Sequence, residues 1–325
     1  ALAEQRFLLP QQTVWRQGPY FQGWPGWPPP ASGSLAAPGC LTLWSEQGYG
    51  DVLQYLRWIV PLIQAGCSVR LEVEPPLLPL LREGMAWLGT SLQLRVKGVQ
   101  PVGLEVPCQG SLLSLPHLLG QAPLASVFGA GPTAAAAQGY LRHPDWPRPA
   151  PRHGRRPRIG LVWASGRKHP NPFITREYER RSLPVPLLVA MLEGLDAAGA
   201  DLVCLQFGAD SRRAEGWSGR FAATLTDSVS LADTARWISG LDLVITVDTA
   251  TAHLVGAMAH PGWVLLPWGS DPRWLRQRSD SPWYPSLTLL RQPSHRDWQG
   301  LVRLVLDRFP QWLERWSRND CSGLQ

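Results

Sequence analysis

The stretch Leu241–Met258, LDLVITVDTATAHLVGAM, constrains the fold of this chain more than any other. Leu241–Val247 is a short, largely apolar run rich in β-branched residues, which predicts a strand buried in a parallel sheet. The run stops at Asp248, Thr249, Ala250 and Thr251, and from His253 an apolar helix of small residues is expected. A strand that feeds a hydroxyl-rich helix start presents unpaired backbone N–H groups, side-chain hydroxyls and the positive end of a helix dipole. Together these receive phosphate. Asp248 and His253 are expected at the rim of such a site.

The same alternation runs through the chain. Strands are predicted at Leu41–Ser45, Ser68–Val73, Leu92–Val96 and Val102–Val106. Between and after them come helices at Asp51–Ala65, closed by Gly66, and at Pro76–Glu83, with further helices near Leu112–Leu119 and Thr133–Tyr140. A break rich in proline and arginine follows, His143–Pro157. The pattern then restarts, with strands at Arg158–Trp163, Asp201–Gln206, Leu241–Val247 and, last, Trp263–Leu266. Its helices are Pro186–Ala198, Leu231–Ser239, Ala252–Ala259 and Leu301–Trp312. Strands alternating with helices imply parallel sheets with right-handed crossovers. Two such blocks imply an α/β chain of two Rossmann-like, doubly wound parallel-sheet domains facing a cleft. They are residues 1–150, of which 1–39 are irregular and rich in turn formers, and residues 151–325. In open α/β sheets ligands sit beyond the carboxyl ends of the strands. No short-period repeat is present.

Composition narrows the class. A chain of 325 residues is long for one core, and 44% hydrophobic residues exclude global disorder. No apolar run reaches ~18 residues, so no transmembrane helix is expected. No basic region followed by an apolar core marks a secretory signal at the N-terminus. The five cysteines are odd in number and scattered, with no CxxC pair. That pattern fits a reducing cytoplasm and neither a disulfide framework nor a zinc site. The net charge of +6 is uneven, with Arg142, Arg148, Arg152, Arg155, Arg156 and Arg158 crowding one segment. The segment reads as a solvated linker, with peripheral attraction to acidic lipid left open. No RNA-binding motif accompanies it, so nucleic acid is not an expected partner. Most of the seventeen tryptophans are expected in packing, though an indole face also stacks on sugars and bases.

Ser45–Asp51, SEQGYGD, joins the first strand to the first helix at a carboxyl edge. Gly48 and Gly50 permit tight turns and close approach of a ligand. Asp51 at the helix start has two readings, a helix cap or a functional carboxylate. A dinucleotide fingerprint fails here, because Leu53 stands where a third glycine is needed and the loop is acidic. In the second block Gln206 and Phe207 end a strand and are candidates to meet a nucleobase. Asp233 and Thr234 open a helix near the same edge, where capping is the competing role.

The set EQGYGD (46–51), PLLPLL, SLLSLP (111–116), IGLVWASG (159–166), RSLP (181–184), LVCLQFG (202–208) and LDLVITVDTATAHLVGAM, followed by LLPWGSDPRWL (265–275), resembles the glycosyltransferase domain attached to bacterial tetratricopeptide-repeat proteins. That domain is similar to the family-nine heptosyltransferases and, more distantly, to the O-GlcNAc transferases. The likeness runs from about Cys40 to Phe309. It implies a GT-B fold, a nucleotide-sugar donor in the C-terminal domain, an acceptor facing the N-terminal one, and no obligatory metal or separate cofactor. The chain departs from the pattern in lacking the repeats, in the insertion RKHPNPFITREYER after Trp163, and in His260-Pro261-Gly262-Trp263 where a lysine-proline turn is usual. The family keeps a phosphate-facing basic residue near the insertion, and Lys168, Arg180 and Arg181 are all candidates.

On this resemblance the reaction is transfer of a sugar from a nucleotide diphosphate to a hydroxyl of a carbohydrate, lipid-linked sugar or protein. Without a metal, the departing diphosphate needs N–H dipoles and a cation. Thr249, Ala250 and Thr251 supply the first, and Lys168 or Arg181 the second. His253 meets a phosphate or stays packed. An ionised Asp248 repels phosphate, so it is expected to order its loop or bind a hydroxyl. In family-nine enzymes the aspartate after the glycine of the first strand–helix turn is the base that deprotonates the acceptor. That position is Asp51 here, which implies inversion in a single displacement. Glu46 is the next carboxylate, and Gln47, Gly48 and Gly50 line the same loop. The competing readings are a non-catalytic binding module of the same fold and a nucleotide-sugar epimerase.

Overall fold

The computed structural model describes residues 40–98, 108–119, 139–151, 154–166, 172–225 and 230–318. The irregular residues 1–39, the predicted strand Val102–Val106, nearly all of the helix predicted near Thr133–Tyr140, and Lys168 lie outside them. The described residues fall into two compact units. One holds residues 40–119 with Tyr140–His143, and the other holds Gly139 and residues 144–318. No helix among the described residues is long and apolar enough to cross a membrane.

The first unit is a four-stranded parallel sheet in the order β3-β2-β1-β4, with β1 at Leu41–Trp44, β2 at Val69–Val73, β3 at Leu92–Val96 and β4 at Gln109–Ser111. Its strands alternate. Leu43, Leu71 and Leu94 are in register on one face, and Thr42, Arg70 and Gln93 on the other. The helix predicted over Asp51–Ala65 is divided into α1 (Tyr49–Tyr55), a 3₁₀ turn (Leu56–Trp58) and α2 (Ile59–Gln64). Pro61 explains the division, since it has no N–H for the Arg57 carbonyl and its ring crowds that oxygen. Gly66 ends α2 at φ 88°, with its N–H on Ile63 O (2.9 Å) and the Cys67 N–H on Leu62 O (3.0 Å). This is a Schellman closure, in the left-handed conformation that favours glycine. Helix α3 spans Leu78–Gly84, and the predicted helix near Leu112–Leu119 is a 3₁₀ turn followed by α4 (Leu115–Leu118).

The second unit is a six-stranded parallel sheet in the order β10-β9-β8-β5-β6-β7. Its strands are β5 (Arg158–Val162), β6 (Asp201–Cys204), β7 (Ala223–Thr224), β8 (Leu243–Val247), β9 (Gly262–Leu266) and β10 (Leu287–Arg291). β10 corrects the expectation that Trp263–Leu266 is the last strand. LTLLR is a five-residue run isolated between turns, too short for periodicity to announce it. Helix α5 (Pro172–Arg181) lies in the segment read as an insertion, and is followed by α6 (Val185–Ala197), α7 (Leu231–Ser239), α8 (Ala250–Ala257) and α9 (Trp298–Ser317). α8 therefore begins three residues before His253. Every residue of β8 and β9 is buried, as strands covered on both faces must be. Gly194 lets α9 approach α6, because a β-carbon there would stand 2.6 Å from Leu306.

The arginine-rich segment is partly built into this unit. Arg155 makes a bidentate pair with Asp242 (2.6 and 2.8 Å), and its guanidinium lies 5.2 Å from the Trp316 ring centre. Arg156 reaches Asp196 and the Ala200 carbonyl. Strand order reverses between β1 and β4 in the first sheet and between β5 and β8 in the second, which puts the expected crevice at the carboxyl ends of those pairs.

Candidate functional site

In the first unit the reversal point is occupied by the loop Ser45–Gly48, and neighbouring strands hold that loop on several sides. The Ser45 hydroxyl donates to Glu74 Oε2 (2.6 Å), and Lys97 Nζ donates to the Ser45 carbonyl (2.6 Å) and to Glu74 Oε1 (3.0 Å). The Ser111 hydroxyl, at the end of β4, donates to Glu46 Oε1 (2.5 Å). Burial raises the Glu74 pKa, but the Ser45 hydroxyl, its own backbone and Lys97 outweigh this and leave it below the usual carboxylate value. Gln47 sits at φ 68°, a region costly for a side chain with a β-carbon, and these bonds hold the loop in that shape. Gly48 is the N-cap of α1 and donates its N–H to Asp51 Oδ2 at 2.9 Å. Asp51 is thus the third residue of the helix, reaching back over the first turn, and not its opening residue. Gly50 lies in that same turn.

In the second unit the reversal point gathers residues from β5, β6, β8 and α5. Gln206 Oε1 accepts the N–H groups of Trp163 (3.1 Å) and Ala164 (2.9 Å), so it clamps the end of β5. That use competes with the expected nucleobase contact. Phe207, next to it, is 43% exposed. The Ser165 N–H donates to the Ser182 hydroxyl (3.2 Å), whereas the Ser165 hydroxyl is buried without a hydrogen-bond partner among the described residues. An orphaned buried hydroxyl is costly unless water or a ligand meets it. Thr249 caps α8, its hydroxyl accepting the Thr251 N–H (3.2 Å) and standing 3.3 Å from the Thr246 hydroxyl. Ala250 and Thr251 form the first turn of α8. Arg181, at the end of α5, donates to the Asp248 carbonyl at 3.4 Å.

Two expected rim residues are buried instead. Asp248 is 5% exposed, and burial raises its pKa against the opposing pull of Arg181, the Trp274 indole and Arg273. Burial makes the charged form of Asp248 costlier than at the expected rim position, while its place beside Arg181 and Arg273 leaves it among the groups that order this loop. His253 is enclosed by aromatic rings. Its Nδ1 is 2.9 Å from the Tyr284 hydroxyl, and its ring stacks on Trp274 at 5.2 Å and meets Tyr284 edge-on at 5.7 Å. Gly256, one turn later, leaves room for the Tyr284 ring, which a β-carbon would strike. Of the two roles open to His253, the geometry is that of a packed histidine. Asp233 and Thr234 are occupied in capping α7. Asp233 accepts from the Ser230 N–H (3.0 Å) and hydroxyl (2.6 Å), and the Thr234 hydroxyl donates to Ser230 O (3.0 Å). Arg180 is engaged by Glu177 and the Gly269 carbonyl.

Sequence reading missed Ser165, Trp274, Tyr284, Arg291 and Gln292. Ser165 lies within IGLVWASG and Trp274 within LLPWGSDPRWL, and for Tyr284, Arg291 and Gln292 the available signal was the aromatic and polar run that follows that second string. Among the described residues no group of three His, Cys, Asp or Glu side chains is placed to hold a metal ion.

No protein family and no curated protein matches the chain by sequence. Solved structures match by fold. E. coli heptosyltransferase WaaC with ADP is 13% identical with a TM-score of 0.51, over 86% of this chain and 99% of that one. The glycosyl transferase family 9 structure from Veillonella parvula is 12% identical with a TM-score of 0.54, over the same shares. E. coli ADP-heptose LPS heptosyltransferase II is 12% identical with a TM-score of 0.50, over 85% and 99%. The chain shares with them an α/β fold of two parallel-sheet, Rossmann-like units, the GT-B architecture.

Proposed function

We propose that this chain is a glycosyltransferase that moves a sugar from a nucleotide diphosphate to an acceptor hydroxyl, with inversion and without a metal. The observation that carries the reading is the reversal point of the second sheet. There the orphaned Ser165 hydroxyl, the threonine-capped start of α8 and Arg181 meet beyond β5 and β8. Hydroxyls, backbone N–H groups and a guanidinium are the donors a departing diphosphate requires, and they stabilise it without a Lewis acid. The likeness in fold to heptosyltransferases, one of them solved with ADP, points the same way.

In the first unit Asp51 is the base. The Gly48 N–H fixes one of its carboxylate oxygens and so orients the group. In the reaction the acceptor oxygen attacks the anomeric carbon as the bond to the diphosphate oxygen breaks. The hydroxyl proton passes to Asp51, and the negative charge leaves with the diphosphate. Glu46 is tied to Ser111 and Glu74 to Ser45 and Lys97, so both are positioning groups for this loop.

The test is turnover of a panel of sugar nucleotides, read as release of nucleotide diphosphate with and without acceptor sugars, alongside Asp51→Asn. At least one donor is expected to turn over, with a rate about 10²–10⁴-fold lower in Asp51→Asn. Undiminished turnover in that variant removes Asp51 as the base. Failure of every nucleotide diphosphate to bind removes the glycosyltransferase reading.

A further inference from the structure

The large apolar side chains that stand exposed among the described residues share one edge of one sheet. They are Val185, Phe207, Trp268 and Leu275, and all belong to segments at the carboxyl edge of the second sheet. Phe207 follows β6. Trp268 and Leu275 follow β9. Val185 opens α6 just after Leu183, whose N–H is held by the Trp163 carbonyl beyond β5. Single exposed apolar residues are ordinary, but their concentration at the ligand-facing edge of one sheet is not.

Trp268 is the most exposed of them, at 59%. Its backbone is nevertheless fixed. Its N–H donates to Gln292 Oε1 (3.1 Å), and the Gln292 N–H returns to Leu266 O (3.0 Å). Arg180 holds the Gly269 carbonyl. Arg291 holds the Ser270 hydroxyl (2.6 Å) and the carbonyls of Trp274 (2.7 Å) and Leu275 (2.6 Å). Leu275 is kept at φ 55°, a strained conformation for leucine. The indole of Trp268 makes no hydrogen bond or ring contact with the described residues. So the loop's backbone is tied at several points, while the indole it presents has no such tie to the described residues.

The loop also lies beside the phosphate-receiving turn. β9 is paired with β8, and adjacent strands are ~4.8 Å apart. Arg180 grips this loop while its neighbour Arg181 grips Asp248, and the Asp248 carboxyl senses Arg273 and Asp271 from the same loop. An indole face is flat, apolar and electron-rich, suited to the C–H face of a sugar ring. A pre-ordered backbone removes most of the entropy cost of using it.

We propose that Trp268 is the sugar-stacking residue of this site, forming the wall against which the donor's sugar ring lies. The proposal rests on the nucleotide-sugar reading above. It assigns the discrimination between a sugar nucleotide and the bare diphosphate to one side chain outside the phosphate-receiving turn.

The test is calorimetric. Affinities of the wild-type chain, Trp268→Ala and Trp268→Phe are measured for UDP, ADP and GDP and for UDP-glucose, UDP-N-acetylglucosamine, ADP-heptose and GDP-mannose. For the nucleotide that binds, Trp268→Ala is expected to weaken the sugar nucleotide about tenfold while leaving the diphosphate within about twofold, and Trp268→Phe to restore most of the loss. An unchanged ratio in Trp268→Ala overturns the proposal, as does equal loss of both ligands. Absence of all diphosphate binding by the wild-type chain fails the glycosyltransferase reading instead, so the two failures are distinguishable. Trp268 is exposed, so both variants are expected to fold, and their unfolding midpoints provide the check.

Discussion

At the residue scale, burial decides roles that composition leaves open. Asp248 at the end of β8 and His253 in the first turn of α8 are polar residues at a strand-to-helix turn, where water is ordinarily near, yet both are enclosed. Asp248 is held by its loop partners and His253 by an aromatic box. The Tyr284 hydroxyl is the polar partner of His253 Nδ1 in that box. Tyr284→Phe is expected to leave this nitrogen buried without it, at a cost of about 1–3 kcal/mol in urea unfolding. An unfolding midpoint equal to that of the wild type would mean that water replaces the hydroxyl. Asp51 in the first turn of α1, and Glu46 and Glu74 just beyond strand ends, keep polar partners and hold the first unit's loop in shape.

At the element scale, the two sheets follow different rules. Strands β8 and β9 are apolar almost throughout and buried along their whole length, whereas β2 and β3 alternate leucine or valine with polar residues, β2 being buried on both faces all the same and β3, at the edge, partly exposed. Both patterns were legible, since the strand periods do not depend on distant partners. The break in the first helix was legible too in principle, because Pro61 alone requires it. β10 and α5 were not, being a short run between turns and a polar segment whose partners are distant in sequence. The clasp of Arg155, Asp242 and Trp316 ties three such distant segments together. Burial alone would raise the Asp242 pKa, but Arg155, the Arg158 N–H and the Trp316 indole outweigh it and hold it below its usual 3.8. A carboxyl depressed in the folded chain contributes stability that is complete above the unfolded value and is lost as pH falls through the folded one. Stability is therefore expected to fall on acidification below about pH 4. Arg155→Met, which leaves Asp242 buried without its counter-ion, is expected to cost about 3–5 kcal/mol near neutral pH and to show a shallower acid slope. Urea unfolding between pH 3 and pH 7 measures both, and an identical slope in the variant would place the acid sensitivity elsewhere.

At the scale of the whole molecule, a donor set of N–H groups, hydroxyls and one guanidinium carries a prediction about ligands. A nucleotide diphosphate at saturating concentration, about 100 times its Kd, is expected to stabilise the folded chain by about 2.7 kcal/mol, and to do so equally in the presence of EDTA. Stabilisation abolished by the chelator would assign the diphosphate to a metal and not to Ser165, Arg181 and α8. The sequence by itself determined the α/β class, the parallel strands, the stop signals of the helices and the position of the two strand-to-helix turns. Each of these follows from local sterics and short-range apolar periodicity. Only the tertiary structure decided that the Ser165 hydroxyl has no partner among the described residues, that Gln206 clamps a strand, that His253 is enclosed, and that the Trp268 backbone is held by Gln292 in a loop gripped by Arg180 and Arg291. Those outcomes depend on which side chains meet across long sequence separations, and burial and charge pairing are properties of that meeting.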